Sequence, residues 1–255
     1  MTGVQTCALP IYSAIEISGS STVTAESLYS TGGYSVFGAA LLNTTSNPKQ
    51  YVRPTNHPYA DLAIPAYSGC DQTEYKVSPG QTDTITPVSS VTPYVFCKGL
   101  DVKGTLNLSP GIYIVDQGTV NLNASADLSG TSVTIIMTSS TGSNYAKFDM
   151  NGGASLNLTA PSTGDYAGML LYGDRNGPMQ VNRLNGNASA VFNGAIYLPS
   201  GDLTFSGSSA LGTAACTQLI ANLVEISGST NITTSGCEAL GGKLAFIGGS
   251  VKLAQ

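Results

Sequence analysis

The chain has 255 residues, a formal net charge of −5 and only 10% charged side chains, against roughly 25% in an ordinary soluble domain. Ten Lys and Arg with a sequence pI near 4.6 leave no basic patch, which excludes a nucleic-acid binder. No apolar run approaches the ~20 residues that span a bilayer, and the balance is uncharged-polar, small and β-branched, as in extracellular all-β proteins.

In chain order, Met1 to Ile11 (MTGVQTCALPI) comes first and shows no period. It joins abruptly to an alternating Ser/Gly/Thr pattern and resembles the translated read-through of a sequencing adapter. We therefore expect 1–11 to be foreign or disordered, and 12–255 to form one domain. Setting Cys7 aside leaves Cys70, Cys97, Cys216 and Cys237, for which three pairings exist; the economical one is local, Cys70 with Cys97 and Cys216 with Cys237. Buried free thiols are the competing reading. Neither pair has metal-ligand spacing, and His57 is the single histidine, so no metal or cofactor is expected.

A phrase then recurs: apolar, any, apolar, any, Gly or Ala. It reads Ile15-Glu-Ile17-Ser-Gly19, Leu100-Asp-Val102-Lys-Gly104, Val120-Asn-Leu122-Asn-Ala124 and Phe148-Asp-Met150-Asn-Gly152. A weaker copy ends in Leu184-Asn-Gly186, followed by Leu203-Thr-Phe205-Ser-Gly207 and Val224-Glu-Ile226-Ser-Gly228. Gly104 to Ala124 is 20 residues, and Gly186 to Gly207 and Gly207 to Gly228 are 21 each. The longer intervals of 28 and 34 fit one turn with an inserted loop. Alternation with period two makes these strands, and the fixed period makes them coils. The predicted fold is all-β: a right-handed parallel β-helix with 20–21 residues per coil, regular over 96–255. A hairpin sandwich turning at Asn151-Gly152, Asn185-Gly186 and Asn193-Gly194 is the alternative.

Residues 38–95 are irregular in this reading. Seven prolines from Pro48 to Pro93 and Tyr51, Tyr59, Tyr67 and Tyr75 fall there. We expect an excursion packed on the solenoid, with a short strand pair through Glu74–Val77 and Asp83–Ile85. The closing Gly241–Leu253 returns to a strand pattern that would cap the stack.

The words LSPGIYIVDQGTVNLNASADLSGTSVTIIMT, GDYAGMLLYGDRN and NGAIYLPSGDLTFSGSSALGTAACTQLIANLVEISGS, with the closing SVKLAQ, resemble the C-terminal region of TadG-like proteins of bacterial Flp (Tad) pilus assembly. The resemblance runs from about Ser13 to Gln255. It implies a non-enzymatic, extracytoplasmic domain, in the periplasm or at the cell surface, held to the inner membrane by an N-terminal helix that this chain lacks. Its expected partners are pilus-assembly or cell-envelope proteins. Apart from the resemblance, an unpaired terminal coil offers free N–H and C=O groups and would invite end-to-end self-association. The matching words place Cys70 with Cys97 and Cys216 with Cys237. A Cys usual before the GGYS word is replaced here by Leu28-Tyr29-Ser30. The resemblance carries over no catalytic residue.

The candidates for chemistry are few. Asp101, Asp127 and Asp149 stand singly beside repeat strands and read best as solvated ladder residues; the functional alternative sets Asp127 and Asp149 on a common face in successive coils. Asp174-Arg175 follows the apolar run Met169–Tyr172 and reads as an ion pair capping a coil, or as an interaction site. A pectin-lyase-like carbohydrate-active protein would require carboxylates converging near Arg175. An adhesin or ice-binding module would require a flat Thr face that no loop crosses.

Overall fold

The computed structural model describes residues 3–6, 13–53, 58–186, 190–208, 210–211, 216–233 and 238–243. It is all-β. The one short helix among these residues is the 3-10 turn Glu238–Leu240, and every strand pairing is parallel.

The pairings fall into three ladders. Ladder A runs through Gly111–Asp116, Val133–Thr138, Met169–Gly173, the middle of Ala190–Gly207 and the start of Thr217–Ile226. Ladder B runs through Thr119–Leu122, Lys147–Met150, Gln180–Gly186 and the ends of those two long strands. Ladder C runs through Thr105–Leu108, Asp127–Thr131, Ser155–Thr159 and the beginning of Ala190–Gly207. The chain visits A, B and C in turn and returns to A one register further on. Side chains at alternate positions meet in the middle, where Leu106, Val120, Leu128, Phe148, Leu156 and Phe205 are wholly or almost wholly buried.

The sequence phrase is ladder B. Val120 pairs with Leu100 on one side and Phe148 on the other, Leu122 with Val102 and Met150, and Ile15 with Val224. In the weak copy Leu184 holds the second apolar place, beside Met150 and Phe205. The first is held by Asn182, 4% exposed. Its Oδ1 accepts the Phe148 N–H at 2.9 Å and its amide reaches the Asp202 carbonyl. A buried amide survives in an apolar column because both its ends are bonded.

Spatial order departs from chain order. Ile15–Ile17 lies between Thr217–Ile226 and Tyr34–Val36, and Thr22–Ala25 lies between Asn231–Thr233 and Leu41–Thr44. The first turns of the chain thus stack beyond its last ones. Gly3–Thr6, within the segment expected to be foreign, forms a strand between Thr217–Ile226 and Ser27–Tyr29.

The expected excursion is shorter than 38–95. Leu41–Thr44, Gln72–Val77, Thr82–Ile85 and the strand from Tyr94 are ladder strands. Gln72–Val77 and Thr82–Ile85 do not pair with each other; each pairs with the next turn, Tyr94–Val102 and Thr105–Leu108. The prolines misled because Pro79, Pro87 and Pro93 stand in the connections between strands, where a missing N–H breaks no ladder bond.

The irregular part is 58–71, a strap laid along the outside of ladder A. The Tyr59 hydroxyl donates to Gln218 Oε1, the Leu62 carbonyl accepts from the Tyr172 hydroxyl, and the Ala63 carbonyl from that of Tyr166. Asp71 exchanges bonds with Val95, and Cys70 is joined to Cys97. The strap therefore travels from the level of Thr217–Ile226 back to that of Tyr94–Val102. It buries a second apolar cluster with Ile114, Ile136, Tyr172, Tyr197 and Ile220, which is why Val133–Thr138 is buried on both faces.

Candidate functional site

The carboxylates singled out from the sequence do not converge. Asp101 and Asp149 occupy one outward column of ladder B, on either side of Asn121. Asp101 accepts from the amides of Asn121 (2.8 Å) and Asn123 (2.6 Å) and pairs with Lys103 at 3.3 Å. Asp149 pairs with Arg183 at 3.7 Å, its register neighbour one turn on. Asp127 stands exposed on a different ladder, C, between Thr105 and Ser155, so it does not share a face with Asp149.

Asp174 and Arg175 turn to different partners. Asp174 accepts from Thr138 Oγ1 at 2.6 Å and from the Asn176 N–H. The Arg175 guanidinium reaches across to the strap, donating to the Tyr59 carbonyl at 2.9 Å and to the Tyr172 hydroxyl at 3.2 Å. Ser200 holds the Arg175 carbonyl from the next turn. Arg175 is thus a clasp on the strap. Its replacement by Ala is expected to cost about 1 kcal/mol, the lower range for partly exposed bonds to a charged donor. The change should appear as faster proteolysis within 58–66, with Asp149→Asn unchanged as the control.

Three groups were not legible in advance. Asp116, 5% exposed, closes the inner side of the strap: its carboxylate accepts from the Ser140 N–H and hydroxyl and from Tyr67. Gln218 is buried, with its amide nitrogen unpartnered. Asp83 points into the end of the core and accepts the Tyr75 hydroxyl at 2.9 Å. Period-two alternation from Ile85 would have placed Asp83 on the inward side, but not said that its turn is terminal.

The strap tyrosines report its closure. Desolvation pushes the Tyr59 phenol up to about 12, and desolvation together with the Asp116 charge does the same to Tyr67. Both bind their proton more tightly folded than unfolded. Their contribution is therefore whole below pH 10 and lost as pH rises from there through about 12. Denaturation midpoints should fall steeply over that window, and less so in Tyr67→Phe.

Among the described residues no three His, Cys, Asp or Glu side chains gather as a metal site. A cleft of about 320 Å³ brings Glu74 and Asp101 together with Lys76 and Lys98. Another, about 350 Å³, lies between the strap and the A–C corner, lined by Pro65, Ile112, Thr134, Asp165 and Tyr166. Neither sets carboxylates beside Arg175. The outward side of ladder C carries aligned Thr82, Thr105, Asp127 and Ser155 beside Thr84, Asn107, Ser129 and Asn157.

Cys70–Cys97 is a disulfide. Cys216 is also disulfide-bonded; Cys237 lies outside the described residues, as do His57 and most of Gly241–Leu253. No described helix is long and apolar enough to cross a membrane. No family model, curated protein or solved structure matches the chain.

Proposed function

We propose that this chain is a three-sided, right-handed parallel β-helix serving as a non-enzymatic, extracytoplasmic envelope domain of TadG-like type. It works by surface contact with pilus-assembly or wall components. Right-handedness follows from the rule for parallel crossovers. The observation that carries the reading is that no carboxylate singled out from the sequence faces Arg175 across a groove: Asp101, Asp149 and Arg183 satisfy neighbours along ladder B, and Arg175 serves the strap. A lyase or hydrolase needs an acid and a base aimed at one substrate atom. The Cys70–Cys97 bridge favours an oxidising compartment.

The test is a graft. The chain, placed behind the membrane anchor of a TadG-like protein in a strain lacking that gene, should restore Flp pili. An exported, folded graft without pili overturns the reading. Release of unsaturated uronides from polygalacturonate by the purified chain would replace it with the carbohydrate-active one. The aligned Thr, Ser and Asn of ladder C favour a second reading, a flat binding face of adhesin or ice-binding type. Inhibition of ice recrystallisation, lost in Thr84→Lys, would establish that alternative.

A further inference from the structure

The two ends of the stack are chemically different. At one end the last turn holds Gln72–Val77 and Thr82–Ile85, each paired on one side only among the described residues. Its inward positions are Tyr75, beside Leu100, Val77, beside Val102, Asp83, beside Leu106, and Ile85, beside Leu108; Val77 and Ile85 are buried, and Asp83 is half-buried. The Tyr75 hydroxyl donates to Asp83 across the mouth of the core, so the column through Leu106 ends at a carboxylate. An inward charge on an edge strand obstructs further strand addition, because stacking another turn would bury it.

At the other end the last turn holds Tyr34–Val36 and Leu41–Thr44, again paired on one side only among the described residues. Phe37, Ala39 and Leu41 give their N–H groups to the turn beneath. The inward positions are Tyr34, Val36 and Leu42, beside Ile15, Ile17 and Val23. Phe37 is 50% and Leu41 58% exposed at the rim. From Gly33 to Gln50 there is no acid, and the single cation, Lys49, lies over the Tyr29 ring, 5.8 Å from its centroid. This end lacks the charges that guard natural edges.

We propose that this end docks a second copy of the chain, head to head. A tail-to-head contact would set the Asp83 carboxylate on apolar Tyr34 and Leu42, so the two open ends meet each other about a twofold axis. Such an interface is self-complementary and closes at two copies. No acid stands between Gly33 and Arg53; Lys49 is turned back onto its own stack, and the exposed Arg53 is the one cation that follows this turn. Five rim and core side chains with two strand edges bury on the order of 1,000 Å² in total, the range of weak, reversible pairs. The inference rests on the ladder ends and is independent of the envelope reading.

Sedimentation velocity of the purified chain, from micromolar to roughly millimolar concentration, tests it. The expected result is a reversible monomer–dimer equilibrium with no larger species. Leu41→Asp should be monomeric throughout. Asp83→Leu, folded by circular dichroism, should run past the dimer into longer oligomers, because both ends are then open. A wild type that stays monomeric, or that itself forms longer oligomers, overturns the proposal. So does Leu41→Asp pairing as well as wild type, or Asp83→Leu halting at two copies.

Discussion

Gly228→Val should lower the stability of this protein by about 2–5 kcal/mol and its melting temperature by roughly 5–15 °C. Gly228 has φ +80° and stacks in a column with Gly207 (φ +97°), Gly19 (φ +72°) and Gly38 (φ +76°). A Cβ on Gly228 would meet the Gly207 carbonyl oxygen at 2.6 Å and its nitrogen at 2.9 Å. Those are backbone atoms of the next turn, so relief requires the turns to part. The left-handed conformation alone costs an L residue about 1–2 kcal/mol, and overpacking adds about 1–3. A β-branched side chain worsens both. Gly152→Ala is the control: nothing lies within 4 Å of its Cβ position and its φ is not positive. That change should stay within about 0.5 kcal/mol. Thermal unfolding of both variants distinguishes a stacked corner from a merely flexible one, and equal losses would refute the column.

The second large effect is expected at the Cys70–Cys97 bridge. It closes a loop with a sequence separation of 27 and joins the end of the strap to the strand Tyr94–Val102. Loop-closure entropy for that length gives about 3–4 kcal/mol. The double variant Cys70→Ser/Cys97→Ser should lose about that much in chemical denaturation. The loss should be accompanied by protease cleavage in 58–71 before the ladders open, because the strap covers Ile114, Ile136 and Tyr197 but contributes no strand. Simultaneous loss of strap and ladders would mean that the strap is integral to the stack instead.

These two effects were unequally legible. The Gly column could be read directly: the phrase ending in Gly207, Gly228 and Gly19 recurs, and those glycines do stack. The alternation of Leu100, Val102, Val120, Leu122, Phe148 and Met150 likewise settled which side chains face inward. The strap was legible only as a proline- and tyrosine-rich stretch, drawn too long because corner prolines look the same whether or not the chain resumes its ladder. Arg175 was noticed as a charged word, but its partner is the Tyr59 carbonyl, 116 residues away, and a backbone acceptor leaves no trace in a sequence.

The sequence by itself thus determined the strands that carry the recurring phrase, their inward faces and the glycine corners that follow them. All of these depend on local periods of two and on glycine at fixed intervals. Only the tertiary structure decided the order of the turns. Every turn offers the same row of N–H and C=O groups to the next, so nothing local says that Ile15–Ile17 belongs beside Thr217–Ile226. Once the first turns close the far end, the chain must travel back along ladder A, and the strap with its tyrosines, Arg175 clasp and disulfide follows from that journey. The same placement sets Asp83 inward at one end of the stack and leaves Tyr34, Val36 and Leu42 with no further turn over them among the described residues at the other.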